Sequence, residues 1–344
     1  MESLKRVFHD NFLIGTSLMG TMPEAYSADE RALLESQFDI VTPGWCMKSL
    51  PVQPEEGVYR FEQADALVEY TSTHNLLICA HTLVWHKSYP RWFFQDGEAF
   101  ASRETILRRM ETHIHTLAGR YRGKIFGWDV VNEAFDDEPE YLMDTPWASL
   151  VGDDFYLHAF AFARDADPDA QLYYNEWDLE KPTRRWKTLR LIDDLQSHGL
   201  RIDAVGIQGH WELDAIPFKE IDRAITEFHA AGVQVNISEL DIDVVLPRFI
   251  DDLSGDQVKE QIGDPYADRC PPEILSRLAE QYAELFRLFR HHSAAIDRVT
   301  LWDLHDGRSW LNQFPYHRTN YPTLFDRQLQ GKVAFQAVVA EAKA

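Results

Sequence analysis

The sequence predicts an α/β protein, a single (β/α)8 barrel of the TIM type that forms one domain over residues 1–344. Three observations predict this fold. Eight apolar runs of β type alternate with helical patterns, no repeat or linker interrupts them, and polar side chains cluster where the runs end. With 344 residues, 45% of them hydrophobic, the chain suits one barrel, because such domains contain from about 200 to more than 400 residues.

The main structural alternative is a doubly wound open sheet. In the nucleotide-binding form of that fold, a glycine-rich turn follows the first strand and holds a phosphate. The corresponding stretch here, Gly15–Gly20, reads Gly-Thr-Ser-Leu-Met-Gly and matches that pattern poorly. The sequence therefore favours the closed barrel.

The first half of the chain contains four predicted strands. Residues 12–18, 39–42, 76–85 and 124–131 are apolar enough to be buried strands. Between the first two, Ser27 and Glu30 form a capping-box pattern that predicts a helix over residues 27–38. Between the third and fourth, apolar residues at spacings of three and four predict the buried face of a second helix: Ile106, Met110, Ile114, Leu117 and Tyr121.

The second half contains the other four predicted strands, at residues 170–177, 204–211, 234–242 and 298–304, with a helix near 155–166 ahead of them. Two more helices are predicted by their apolar faces. These faces are Ile221, Ile225 and Phe228 before the seventh strand, and Leu275, Leu278, Tyr282, Leu285 and Phe289 before the eighth. We expect the long segment between them, residues 246–272, to be irregular.

The net charge of −22 argues against negatively charged partners, so we expect neither nucleic acid nor a membrane surface to bind. The three cysteines, Cys46, Cys79 and Cys270, have no paired spacing that would indicate a disulfide framework or a metal site. The N-terminus lacks the apolar segment of a signal peptide, and no run of about 18 apolar residues occurs. The sequence therefore predicts a cytoplasmic protein, with a secreted protein whose signal peptide has been removed as the alternative.

We expect no cofactor and no metal ion. His113 and His115 lie two residues apart in a helical pattern and so would not share a face. The acidic residues Asp251, Asp252 and Asp256 leave calcium binding as a minor alternative, because their spacing lacks the ligand periodicity of a known calcium loop.

Two of the apolar runs deliver a glutamate at the C-terminal part of the strand. The fourth is directly followed by Asn132 and Glu133, and the seventh contains Glu239. Barrel active sites lie at the C-terminal ends of the strands, and two carboxylates fixed there are typical of acid/base or glycosyl-transfer chemistry. His81, His210 and the tryptophans near the strand ends could instead be core residues.

Several motifs together resemble the xylanases of glycoside hydrolase family ten over nearly the whole chain. Residues 128–133 (WDVVNE) resemble the acid/base motif of that family, and residues 237–241 (ISELD) resemble its nucleophile motif. Further matches follow in the same order as in the family: His81–His86, Leu172–Asn175 with Leu179–Glu180, Gly206–His210, and Trp302 with Asp306 and Ser309–Trp310.

The resemblance implies a retaining glycosidase that acts on β-1,4-xylan or xylo-oligosaccharides. It implies that Glu133 is the general acid/base and Glu239 the nucleophile, that Asn132 binds the sugar 2-hydroxyl, and that His210, held by Asp241, orients Glu239. The subsite on the non-reducing side is implied for Lys48, His81, Trp85, Gln208, Trp302 and Trp310. We expect the apolar rings of Trp85 and Trp302 to raise the pKa of the acid, and His210 to favour the ionised form of Glu239.

The chain departs from the family after the second strand. The family usually has a Glu-Asn pair there that binds the second sugar on the glycone side, whereas Thr42-Pro43 is followed here by Gly44 and Trp45. Trp45 could stack on that sugar, block its subsite, or fill the core. We expect a weakened or obstructed subsite and a preference for short oligosaccharides. Glu176-Trp177 in place of a more usual Asp-Tyr is a milder departure.

Three other functions remain open. An exo-acting xylosidase or a β-glucanase would use the same two carboxylates on the same barrel. A metal-dependent barrel hydrolase is disfavoured because the first strand lacks a His-X-His pattern. A sugar-binding protein without catalysis is disfavoured by the intact Glu133 and Glu239.

Overall fold

The computed structural model describes residues 1–248 and 253–344 of the chain. In that part, eight parallel strands close into a barrel with helices between them, which confirms the predicted (β/α)8 fold. The barrel strands are β1, Leu13–Leu18; β2, Ile40–Pro43; β3, Leu77–Trp85; β6, Gly127–Asn132; β7, Gln171–Glu176; β8, Ala204–Ile207; β10, Gln234–Asp243; and β11, Ile296–Leu301.

Three shorter strands complete the set. β4 (Gln95–Asp96) and β5 (Ala99–Phe100) form a small antiparallel hairpin, and β9 (His210–Glu212) continues β8 and pairs with β10. The sixth predicted strand is therefore divided in two. Gly209 lies at the division with φ of 79°, a left-handed conformation that favours glycine. Pairing of β11 with both β10 and β1 closes the barrel.

The helices lie mostly between successive strands. They are α1, Leu4–Val7; α2, Ala28–Gln37; α3, Ser49–Val52; α4, Glu62–Thr73; α5, Arg103–Arg120; α6, Pro146–Leu150; α7, Phe155–Ala166; α8, Pro182–Ser197; α9, Phe218–Ala230; α10, Gly255–Ile262; α11, Pro272–His291; and α12, Val333–Lys343. Short 3₁₀ turns span Arg91–Phe94 and Trp310–Asn312. No helix in the described residues is both long enough and apolar enough to cross a membrane.

The capping box predicted at Ser27 is present: its hydroxyl accepts from the Glu30 amide, and Glu30 accepts from the Ser27 amide. A second capping box, Ser254 with Gln257, begins α10. The expectation that residues 246–272 are irregular was therefore wrong, because a short amphipathic helix forms there. Asp256 lies in its first turn, whereas Asp251 and Asp252 lie outside the described residues.

Two layers of packing hold the barrel. The large apolar core fills the space between strands and helices, and a small cluster fills the barrel interior: Ile40, Cys79, Tyr173 and Ala204. The Tyr173 ring lies against Gly127, where an added Cβ would approach it to 2.4 Å, so this contact requires glycine. This cluster thus helps to fill the barrel interior.

On α5, His113 is buried and hydrogen-bonded to Ser49 and Gln53, whereas His115 is exposed. Burial lowers the pKa of His113 to about 4, so this histidine is a neutral core residue.

Candidate active site

A cleft of about 910 Å³ lies at the C-terminal ends of the barrel strands. Ten of the twelve residues that the sequence predicted for catalysis or binding line it: Lys48, His81, Trp85, Asn132, Glu133, Gln208, His210, Glu239, Trp302 and Trp310. Asp241 lies directly behind His210, and Trp45 is the residue that the structure does not bring to the cleft wall. Within the described residues, no group of three or more His, Cys, Asp or Glu side chains is arranged to hold a metal ion.

Glu133 follows the last residue of β6 with φ of 54°, in the left-handed region that side-chain-bearing residues rarely adopt. This conformation turns the carboxylate into the cleft. Its Oε2 accepts from Trp85 Nε1 at 3.0 Å and Lys87 Nζ at 2.8 Å, and Oε1 accepts from Gln208 Nε2 at 3.3 Å. Glu133 is thus a buried carboxylate that accepts three hydrogen bonds.

The pKa of Glu133 is lowered, which contradicts the expectation of a raised value. Burial is the largest influence and raises the pKa, but the charge of Lys87 and the three donors together outweigh it. Trp85 has the opposite effect to the one expected, because it presents its indole N–H to the carboxylate rather than its apolar face. The sequence reasoning also missed Lys87, the next residue but one after Trp85.

Glu239 lies within β10 on the other side of the cleft. Asn175 Nδ2, at the C-terminal part of β7, donates to its Oε1 at 2.7 Å, and His210 Nε2 lies 3.1 Å from its Oε2. Asn175 is fully buried and is itself oriented by the Ser238 hydroxyl, which donates to its side-chain oxygen. Gly206 makes room for it, because an added Cβ would lie 2.2 Å from that oxygen. Each oxygen of Glu239 therefore has its own partner.

A chain of contacts continues behind Glu239. His210 Nδ1 lies 3.1 Å from Asp241 Oδ1, and Trp310 Nε1 donates to Asp241 Oδ2 at 2.6 Å. The pKa of His210 is raised to about 9: burial lowers it, but the carboxylates of Asp241 and then Glu239 together outweigh burial. His210 is accordingly an imidazolium near neutral pH, as the predicted arrangement of His210 between Glu239 and Asp241 requires.

The remaining predicted residues surround the two glutamates. The side-chain amides of Asn132 and Asn175 lie 2.8 Å apart, which places Asn132 between Glu133 and the partner of Glu239. Lys48 Nζ lies 4.5 Å from the centroid of the Trp85 ring. Burial lowers the pKa of Lys48, while the nearby charges of Glu239 and Glu133 raise it. These groups make the floor of the cleft polar.

Aromatic rings form the wall above that floor. His81 Nδ1 is held by Asp129 at 2.9 Å, and its ring lies 6.0 Å from the rings of both Trp85 and Trp302. Trp310 packs on His210 at 5.0 Å. Apolar ring faces beside hydrogen-bonding groups suit a ligand such as a sugar, which has both C–H faces and hydroxyls.

The end of the cleft near β2 differs from the sequence expectation. Met19, which follows β1, lines the cleft beside Gly44, and a Cβ added to Gly44 would lie 2.0 Å from the Met19 sulfur. Trp45 is 44% exposed, so it is not core filler. The thioether of Met19 therefore occupies the space that a side chain at position 44 would need, a residue role that the sequence reasoning missed.

At the opposite end, Trp177 lies over the Arg184 guanidinium at 3.7 Å and lines the cleft. The preceding Glu176 is fully buried, and burial raises its pKa to about 8 despite the charge of Arg184. Glu180 accepts from Trp211 Nε1, and burial raises its pKa to about 7. These carboxyls support the cleft wall.

Comparison with known proteins agrees with this geometry. The family-wide sequence model of Glycosyl hydrolase family 10 matches residues 3–341 of this chain. The chain is 37% identical to an endo-1,4-beta-xylanase of Geobacillus stearothermophilus, with 98% of both chains covered. It is 36% identical to endo-1,4-beta-xylanase A of Xylanibacter ruminicola, over 98% of this chain and 92% of that one. A GH10 endoxylanase retrieved from a sugarcane soil metagenome superposes with a TM-score of 0.92 at 35% identity, over 99% of this chain and 100% of that one. The chain belongs to glycosyl hydrolase family 10.

Proposed function

We propose that this chain is a retaining endo-1,4-β-xylanase that hydrolyses xylan or xylo-oligosaccharides, with Glu133 as the general acid/base and Glu239 as the nucleophile. The observation that carries the proposal is the pair of buried glutamates presented by two different strands to one cleft, each with its own set of donors. The similar proteins named endo-1,4-beta-xylanase support the substrate class.

In the first step, Glu239 attacks the anomeric carbon and forms an ester with it. The bond from that carbon to the glycosidic oxygen breaks, and Glu133 gives its proton to the departing oxygen. Asn175 and His210 hold the Glu239 carboxylate in place for this attack. We assign the binding of the 2-hydroxyl of the same sugar to Asn132, which is adjacent to Glu133 in the chain.

In the second step, a water molecule attacks the anomeric carbon and the ester to Glu239 breaks. Glu133, now ionised, takes the proton of that water. Formation of the ester removes the negative charge of Glu239, and loss of a like charge nearby favours ionisation of Glu133. The same glutamate can therefore act as an acid in one step and a base in the next.

The substrate is held by the mixed polar and aromatic cleft. We assign the sugar on the non-reducing side of the cleaved bond to Lys48, His81, Trp85, Gln208, Trp302 and Trp310, all of which line the cleft. The net charge of −22 does not oppose such a substrate, because xylose units are neutral.

Two substitutions test the roles. Glu239→Ala is expected to abolish turnover of every substrate, because no ester can form. Glu133→Ala is expected to lower turnover of xylan by about 10²–10⁴-fold, the usual contribution of a general acid, but to spare ester formation from an aryl xyloside whose leaving group needs no proton. Steady-state rates on xylan and burst kinetics on the aryl xyloside measure both. Equal losses on the two substrates in Glu133→Ala would contradict the assignment.

A further inference from the structure

Lys87 contacts the carboxylate to which we assign both proton transfers. It follows the His81–His86 motif on the segment after β3, and its Nζ lies 2.8 Å from Glu133 Oε2. The side chain of Lys87 is 57% exposed, whereas that of Glu133 is only 10% exposed. An exposed lysine can leave this contact without disturbing the core, and the buried glutamate remains in place.

The other groups that face Glu133 do not duplicate this contact. Trp85 and Gln208 donate hydrogen bonds to it but carry no charge. His86, on the same segment as Lys87, has a pKa lowered by burial and is neutral near neutral pH. Glu176, on β7, is a carboxyl paired with Arg184 at 3.2 Å, so it does not supply a cation to Glu133.

Lys48, after β2, is the second cation near Glu133, but its charge acts on Glu239 more strongly than on Glu133. Burial also lowers the pKa of Lys48, whereas the charge of Lys87 is largely solvated. Among the described residues, the direct ion pair of Glu133 is therefore the one with Lys87.

We propose that Lys87 is a positioning residue that holds Glu133 in its ionised, base-competent form and so sets the pH range over which the two catalytic steps proceed. The inference rests on the proposed role of Glu133. Lys87 disfavours the first step, which needs a protonated Glu133, and favours the second, which needs an ionised one. Removing Lys87 should therefore move the two steps in opposite directions at a given pH.

Lys87→Met tests this, because methionine keeps an apolar stem of similar reach and removes only the charge. With xylo-oligosaccharides, kcat/KM reports the first step, and its decline at high pH should move to higher pH by about 1 unit. A contacting cation lowers the pKa of a carboxyl by roughly 1–3 units. We expect the lower end of that range because the Lys87 side chain is more than half exposed. With an activated aryl xyloside, kcat reports the second step, and its rise from low pH should move in the same direction.

Three comparisons sharpen the experiment. Lys87→Arg keeps the charge and is expected to keep both wild-type profiles. In 1 M NaCl, where the screening length is about 3 Å, the wild-type profile should move only part of the way toward that of Lys87→Met, because the two charges are in contact at 2.8 Å. Lys343→Met removes an exposed lysine that pairs with Glu2 at the chain ends and should leave both profiles unchanged.

Unmoved profiles in a folded, active Lys87→Met enzyme would overturn the inference, and so would a shift that Lys87→Arg reproduces. Failure of the proposed function looks different: the wild-type enzyme would not hydrolyse xylo-oligosaccharides, or Glu133→Ala would lose activity equally on both substrates. Circular dichroism and thermal unfolding of each variant establish that a loss of activity is not a loss of fold.

Discussion

Replacing Asp241 by asparagine should convert His210 from an imidazolium to a neutral imidazole near neutral pH. Asp241 is fully buried, its Oδ1 lies 3.1 Å from His210 Nδ1, and its Oδ2 accepts from Trp310. Asparagine has nearly the same shape and can still accept from Trp310, so the substitution removes a charge and little volume. The perturbation therefore acts mainly on the ionisation of His210.

The magnitude follows from the pKa of His210. Its rise from 6.5 to about 9 corresponds to roughly 3 kcal/mol in favour of the imidazolium. Asp241 is the larger of the two causes that raise the pKa, and the burial that opposes it remains in the variant. We expect the pKa of His210 to fall below 7 in Asp241→Asn, and Glu239 to lose a charge-assisted hydrogen bond. Such bonds are stronger than neutral hydrogen bonds by about 1 kcal/mol, so kcat/KM near pH 7 should fall by roughly 5-fold.

The assay is an NMR titration of protein labelled with ¹⁵N-histidine, with the His210 signal assigned from His210→Gln. Glu239→Gln removes the carboxylate that raises the pKa of His210 less than Asp241 does. It should therefore lower that pKa by less than Asp241→Asn does. Asp222→Asn, which removes a surface carboxylate beside His292, should leave the His210 signal unchanged. A His210 that still titrates near 9 in a folded Asp241→Asn variant would refute the reasoning.

Three further predictions concern the product and the end of the cleft beside Gly44, which we assign to the glycone side. If Glu133 and Glu239 act by double displacement, their carboxyls lie about 5–5.5 Å apart and the newly released sugar is first the β-anomer. Detection of the α-anomer first by NMR would contradict this. Met19 rather than Trp45 lines the cleft beside Gly44. Met19→Ala should therefore change the cleavage pattern of reducing-end-labelled xylo-oligosaccharides, whereas Trp45→Ala should leave it unchanged. The reverse result would place Trp45 at the sugar. A preference for short oligosaccharides is expected from the same end, and efficient release of xylobiose and xylotriose from long xylan would argue against it.

The sequence predicted the parts of the fold that depend on local pattern. Parallel barrel strands are buried on both faces, so they appear as continuous apolar runs that are easily recognised. Glu133 and Glu239 could be located because Glu133 directly follows such a run and Glu239 lies in the C-terminal half of another. α10 was missed although Ser254 and Gln257 form a capping box, because the cluster of acidic residues in this part of the sequence suggested irregular structure.

The sign of the effect on the Glu133 pKa could not be read from the sequence. An indole lowers the pKa of a carboxyl when its N–H points at the oxygen and raises it when its apolar face excludes water. Those two outcomes depend on the rotation of Trp85, which no spacing of residues specifies. Lys87 was overlooked for a similar reason, because a lysine on a loop is usually solvated and its contact arises only when β3 and β6 are neighbours.

The glycone end shows how one small residue changes what its neighbour can do. Gly44 carries no side chain, so the chain after β1 can approach and Met19 fills the space with its sulfur. A glutamate placed at position 44 would meet that sulfur at its first carbon, so a polar subsite forms there only when the Met19 side chain moves aside or is shortened. Methionine is flexible and apolar, and it offers a sugar a contact surface without strong hydrogen-bond donors or acceptors. Met19 can therefore contribute only an apolar contact to recognition at this end, and such a contact discriminates among sugar hydroxyls far less than paired polar groups do.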